Sequence, residues 1–250
     1  MNNLLQLLLL SLLGSVVGLV GGVVFLTNKK LSQVLEENSI PFAAGILITI
    51  SLLGIIPESM ELIGDSALWI LIISFFGAFL FEHFFFGIHH HECEGHDHET
   101  IHKGSVAMVI VGDTIHNFID GVAIGASFLV SPGFGLVTAI ATFLHEVPHE
   151  IADFGILLKA GWQKKNIILV NIVSASATVI GAFGLLLFSE NSNLIGSLLA
   201  ISAGIFLYLG AIDFLPRSIS GKRGRVLEVL PLIAGIVVIM LILALVPHAH

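Results

Sequence analysis

His116-Asn117-Phe118-Ile119-Asp120-Gly121 lies inside one long apolar run, and His145-Glu146-Val147-Pro148-His149-Glu150 lies inside the next. Ionisable side chains are costly in hydrocarbon, so their presence there points to a functional site. On a helix, His116 and Asp120 stand four residues apart on one face, and so do His145 and His149. Two such helices facing each other bring three imidazoles and a carboxylate together, with Asn117, Glu146 and Glu150 close by. That donor set suits a borderline divalent transition metal, zinc above all.

The surrounding composition is that of an all-α integral membrane protein. Of 250 residues, 56% are hydrophobic and 11% charged, where a soluble domain carries roughly 25% charged residues. Nucleic acid is not an expected partner, because Lys and Arg number only 10 and are scattered among loops. A single cysteine, Cys93, rules out an intrachain disulfide. A membrane span needs about 20 predominantly apolar residues. Eight runs qualify, at roughly 4–26, 40–62, 67–88, 104–130, 134–158, 166–188, 194–215 and 227–247. The first lacks a basic leader and is read as a retained span rather than a signal peptide. Short loops join the runs, so residues 1–250 read as one transmembrane domain in contact with lipid.

Orientation follows from the basic residues. Lys29 and Lys30 follow the first span, Lys103 the third, and Lys159, Lys164 and Lys165 the fifth. Arg217, Lys222, Arg223 and Arg225 follow the seventh, and the even-numbered loops hold none. Odd loops are therefore expected in the cytoplasm and both termini on the outer side of a cell membrane, plasma or inner.

Several other residues are candidates for the metal pathway. Glu58, in Ile56-Pro57-Glu58-Ser59-Met60-Glu61, belongs either to a solvated helix end or to an acidic funnel that gathers cations. Asp113 extends the stripe of His116, Asn117 and Asp120, and Asp153 extends that of His149 and Glu150. Asp213 either lines the inner exit or sits beside Arg217 at the boundary. Between spans three and four, residues 89–102 form a His-rich tract. His89, His90, His91, Cys93, His96, His98 and His102 there are candidate ligands for metal on the cytoplasmic side. In span five, Pro148 removes the N–H that would bond the Leu144 carbonyl and can bend the helix. In span four, Gly121 and Gly125 allow a neighbouring helix to approach closely. Asn171, Ser174, Ser176 and Thr178 of span six are read as helix-contact residues.

Two chemistries compete for the central motifs. His145-Glu146-Val147-Pro148-His149 matches H-E-x-x-H, in which two His bind zinc and the Glu activates water. An intramembrane zinc metalloprotease using His145, Glu146 and His149 is the alternative function. It leaves His116, Asn117 and Asp120 mostly unused, and it sets a proline inside the pattern. Transport uses both sets: a cation crossing hydrocarbon swaps its water for protein ligands that hold it yet let it leave.

The paired motifs resemble those of the ZIP (Zrt/Irt-like) metal-ion transporters, in the branch with H-N-F-x-D-G on the fourth span and H-E-x-P-H-E on the fifth. The resemblance implies a transporter, not an enzyme, that imports zinc, and in some members iron, manganese or cadmium. It implies a 3+2+3 arrangement, with spans one to three and six to eight as inverted repeats around four and five. It places His116, Asp120, His145 and His149 in a first metal site, and Asn117 with Glu146, sharing His149, in a second. Zinc is then substrate, two adjacent ions being allowed, with no organic cofactor. Some relatives supply a carboxylate to a two-metal centre from span six, where this chain has Thr178. Homodimerisation is left open.

Overall fold

The computed structural model describes residues 3–85, 103–218 and 224–246. The His-rich tract, with His89, His90, His91, Cys93, His96, His98 and His102, lies outside them. Among the described residues the regular structure is helical. Six stretches are long and apolar enough to cross a membrane: Lys29–Ile63, Ser66–Phe84, Val106–Val130, Lys164–Phe188, Ser192–Arg217 and Val226–Leu245. The two remaining expected spans depart from that description, each for its own reason.

The first is broken. Helix α1 (Asn3–Gly14) and helix α2 (Val20–Thr27) are separated by an irregular turn. In that turn the Val17 N–H reaches back five residues to the Leu12 carbonyl, at 3.2 Å. Glycine is a poor helix former, and this segment has Gly14, Gly18, Gly21 and Gly22. All four lie against neighbouring side chains or backbone; a Cβ on Gly22 would meet the Phe154 ring at 2.6 Å. The other exception is α7 (Pro132–Lys159), which is 28 residues long. Its central acids and imidazoles lower its apolar character. It continues as a helix through Pro148 rather than breaking there.

Helix α3 (Lys29–Ile50) starts earlier than the expected residue 40. The Asn28 side chain caps it, accepting from the Leu31 N–H at 3.1 Å. Hydropathy carries no trace of these polar turns. With a π-type turn at Ser51–Ile55 and α4 (Ile56–Ile63), the stretch runs 35 residues. At about 1.5 Å per residue it exceeds a hydrocarbon core of about 30 Å, so its first turns extend beyond the core.

Helices α5 (Ser66–Phe85), α6 (Lys103–Val130) and α8 (Lys164–Gly184, ending in a tighter turn at Leu185–Phe188) follow the expected runs. So do α9 (Ser192–Tyr208) and α11 (Arg225–Leu245). After α9, a second π-type turn, Leu209–Phe214, leads into α10 (Leu215–Arg217). Both π-type turns precede a proline, Pro57 and Pro216. In each, the residue before the proline donates five back: Ile56 to the Ser51 carbonyl and Leu215 to the Gly210 carbonyl. A proline ring crowds the preceding turn and lacks an N–H, and widening the turn accommodates both.

The helices pack in preferred pairs: α6 on α8, α1 and α2 on α7, α11 on α3, and α5 on α9, with α6 on α7 at the centre. The main core lies where α3, α7 and α9 meet and includes Ile46, Leu47, Ile50, Phe134, Leu199 and Phe206, all fully buried. Helix α5 faces outward, with Trp69 and Ile73 each 70% exposed, as lipid-facing side chains are. At one end the Lys164 ammonium donates to the Leu26 carbonyl at 2.8 Å, joining the end of α2 to the start of α8. At the other, the Ser59 hydroxyl donates to the Gly196 carbonyl at 2.7 Å, joining α4 to α9.

Candidate metal centre

Helix α6 presents two faces. Val111, Ile115 and Phe118 are exposed, while Asn117 and Asp120 are buried and Asp113 and His116 are largely covered. The rotation is fixed by backbone contact with α8. A Cβ on Gly121 would collide with the Thr178 carbonyl oxygen, and one on Gly125 would lie 2.7 Å from that of Ala182. This proximity sets the Thr178 hydroxyl to donate to Asn117 Oδ1 at 3.0 Å. It also puts the Thr114 and Ser174 hydroxyls 3.1 Å apart. The Asn117 amide then donates to Asp113 Oδ1 at 2.9 Å. Thr178 thus stands beside the polar stripe of α6, and Asn117 is engaged through both ends of its amide.

Helix α7 brings His145, Glu146 and Glu150 to the other wall, each no more than 1% exposed. His145 Nδ1 donates to the Ala141 carbonyl at 3.0 Å, which turns Nε2 inward. His145 Nε2 lies 3.2 Å from Asp120 Oδ2. His116 Nε2 lies 3.6 Å from the same Asp120 oxygen and 3.4 Å from Glu146 Oε2. Zinc bonds of about 2.1 Å in a tetrahedron set ligand atoms about 3.4 Å apart. The three separations bracket that value. His116, Asp120, His145 and Glu146 can each offer a donor atom within 4.8 Å of the other three.

The satisfaction of polar atoms points the same way. Among the described residues, twelve buried side-chain nitrogens and oxygens have no hydrogen-bond partner. Nine of them belong to His116, Asp120, His145, Glu146, His149 and Glu150. Native interiors rarely leave such groups unmatched. Here they surround one region, as donor atoms arranged for a cation do.

His149 is near the cluster but outside its closest set. Its ring centroid is 4.4 Å from that of His116 and 4.9 Å from that of Phe214, and its Nε2 is buried without a partner. Glu146, expected beside His116, Asp120, His145 and His149, stands in one group with the first three of these. Glu146 also belongs to a second group, with Asp113 and Glu150. Asp153 is partly covered on the same helix, beyond Glu150. Glu58 is 5% exposed, whereas Glu61 is exposed. Asp213 pairs with Arg217 at 2.5 Å, in favour of the boundary reading.

The sequence reading missed the first segment's part in the site. Gly18, in the turn between α1 and α2, lies so near α7 that a Cβ would be 2.7 Å from Glu146 Cγ. The glycines at 14, 18, 21 and 22 were the available signal. It also missed Phe206, whose ring centroid lies 5.3 Å from that of His145.

The fold and this cluster define a multi-pass α-helical membrane protein with metal-donor side chains buried between two helices. A family model described as ZIP Zinc transporter matches residues 87–244, and the chain belongs to that family. The chain is 41% identical over 143 residues to zinc transporter ZIP10 of Homo sapiens, covering 53% of this chain and 17% of that protein. It is 34% identical over 138 residues to zinc transporter foi of Drosophila melanogaster, covering 54% of this chain and 20% of that protein. With zinc transporter ZIP4 of Homo sapiens the identity is 38% over 118 residues, covering 47% and 18%. The chain therefore matches about a fifth or less of the length of these curated relatives.

Proposed function

We propose that this chain transports a divalent metal ion, zinc foremost, across the membrane into the cytoplasm. The observation that carries the reading is the donor set of His116, Asp120, His145 and Glu146. It comes from two helices, is buried, and has close separations of 3.2–3.6 Å. His149 adjoins it as a further ligand, entering when the ion shifts along the helices. Iron, manganese and cadmium are secondary cargoes to be tested.

Eight spans in a 3+2+3 arrangement fit the packing. The broken first segment and α7 cover each other, which shields the α7 charges from lipid. An exchange of spans one with six, two with seven, three with eight and four with five maps the observed pairs onto one another. The pair α1/α2 with α7 becomes α8 with α6, and α5 with α9 becomes α11 with α3. The two π-type turns before Pro57 and Pro216 fall on spans two and seven, which exchange as well. Both motifs match the H-N-F-x-D-G and H-E-x-P-H-E branch letter for letter. Basic residues in odd loops favour a cytoplasmic end beside Lys164 and outer termini. On that orientation Asp113, Asp153 and Asp213 lie on the inner side of the site and Glu58 on the outer side.

The metalloprotease alternative needs Glu146 free to activate water. Glu146 instead lies 3.4 Å from His116 as one of the donors, and the family is one of transporters.

Zinc flux into proteoliposomes tests the proposal, with Asp120→Ala and His149→Ala beside the wild type. Entry that Asp120→Ala abolishes and His149→Ala reduces supports it. Tight zinc binding without any flux would overturn it, and peptide cleavage dependent on Glu146 would then favour the protease.

A further inference from the structure

Asp113, Glu146 and Glu150 form a second group whose carboxylate oxygens can all lie within 4.8 Å of one another. Glu146 and Glu150 are each 1% exposed, and neither oxygen of either has a hydrogen-bond partner. Three carboxylates this close, two of them fully buried, repel one another unless protons or a cation lie among them. Two features show that the group is built. The Asn117 amide holds Asp113 in place, donating to its carboxylate at 2.9 Å. Asn117 is itself fixed by Thr178, whose hydroxyl occupies its oxygen. Glu146 is held from behind by the Gly18 turn, where no side chain larger than hydrogen fits.

We propose that Asp113, Glu146 and Glu150 make a second, all-oxygen cation station, with Asn117 as its bracket rather than its ligand. The inference deepens the transport reading and rests on it. Asp113 lies one turn from His116 toward the start of α6, and Glu150 lies one turn from Glu146 toward the end of α7. Both displacements run toward the Lys159 and Lys164 end, the cytoplasmic end in the proposed orientation. Glu146 belongs to both groups, so an ion can pass from the imidazole-bearing site to the station without losing that ligand. Carboxylate oxygens are hard donors that suit manganese, magnesium and calcium. They hold zinc less firmly than imidazole nitrogens do, and a weaker station on the inner side favours onward release.

Manganese is the probe, because it prefers oxygen donors and the bound ion loses the sharp six-line paramagnetic resonance of the free ion. The full chain in detergent is titrated as wild type, Glu150→Gln, Asp113→Asn and His145→Ala, with zinc flux scored separately in proteoliposomes. The station is supported if the first two variants weaken manganese binding at least tenfold while His145→Ala retains it. Asp113→Asn keeps the test decisive should Glu150→Gln fail to fold. Wild-type affinity in both carboxylate variants, no manganese binding at all, or equal loss in His145→Ala would overturn it. Carboxylate-dependent manganese binding in a protein that passes no zinc would support the station while removing the transport reading.

Discussion

His145 Nε2 faces Asp120 Oδ2 at 3.2 Å across the contact between α7 and α6. The Nδ1–H is committed to the Ala141 carbonyl, so Nε2 is the ring nitrogen turned toward the carboxylate oxygen. The pair is repulsive until a proton or a metal ion comes between, and zinc should stabilise the fold measurably. A ligand that binds only the folded state at a hundredfold over its Kd contributes about 2.7 kcal/mol. Zinc should therefore raise the melting temperature of the wild type. Asp120→Asn should remove most of that shift, and a chelator should reverse it in the wild type. Scanning calorimetry of the detergent-solubilised protein, with and without zinc, reads the difference.

Gly18 makes the first segment part of the site. A Cβ there would meet Glu146 Cγ at 2.7 Å and Cβ at 2.9 Å, so Gly18→Ala must displace the residue shared by both donor groups. At Gly14 the nearest atom is Ile124 Cδ1, the end of a flexible side chain, which can swing aside. Overpacking costs about 1–3 kcal/mol. Gly18→Ala should lower zinc flux several-fold, whereas Gly14→Ala should change it little. Equal losses from the two would mean that the first segment acts only through general packing.

The contact between α6 and α8 separates backbone from side-chain effects. Gly121→Ala drives a methyl group into the Thr178 carbonyl and must part the helices, so it should lower stability by about 3 kcal/mol or more. Thr178→Val keeps the shape and removes one hydroxyl bond to Asn117, which should cost about 1 kcal/mol. Thermal unfolding of both variants, with zinc binding measured alongside, should show loss of the fold in the first and zinc binding retained in the second.

The contrast between these positions and the motifs shows what a sequence makes legible. The spacing of His116 to Asp120 and of His145 to His149 fixes a shared face through helical periodicity alone, and both pairs do face inward. Thr178 could be matched to its place beside Asn117 through the family resemblance. Which imidazole lies nearest the carboxylates depends on the rotation of α7, and spacing does not set it. His149 accordingly lies outside the group that Glu146 joins. The break at Gly18 was hidden by a run apolar enough to read as one span. The early start of α3 at Lys29 was hidden because polar helical turns leave no mark in hydropathy. In each case the deciding interaction is a tertiary contact or a cap, not the local composition.

Helix α5 exposes most of its surface and packs chiefly on α9 and α4, so its few specific contacts matter more than those of a central helix. One is polar: the Tyr208 hydroxyl on α9 donates to Glu82 Oε2 on α5 at 2.7 Å. Tyr208 is 4% exposed and its ring stands edge-to-face with that of Phe75 at 5.7 Å, so the aromatic body packs while its hydroxyl reaches the acid. Hydrogen bonds to charged groups contribute about 1.5–3 kcal/mol. Tyr208→Phe keeps the ring and removes the bond, leaving a carboxylate short of a donor beside apolar neighbours. It should lower the melting temperature while leaving zinc binding intact, because no donor atom of the metal cluster is touched. Glu82→Gln retains an acceptor and should cost less. If the bond is the link, the double variant Tyr208→Phe/Glu82→Gln should be less destabilised than the sum of the two single changes. Strict additivity would show that Tyr208 supports α5 through its ring alone.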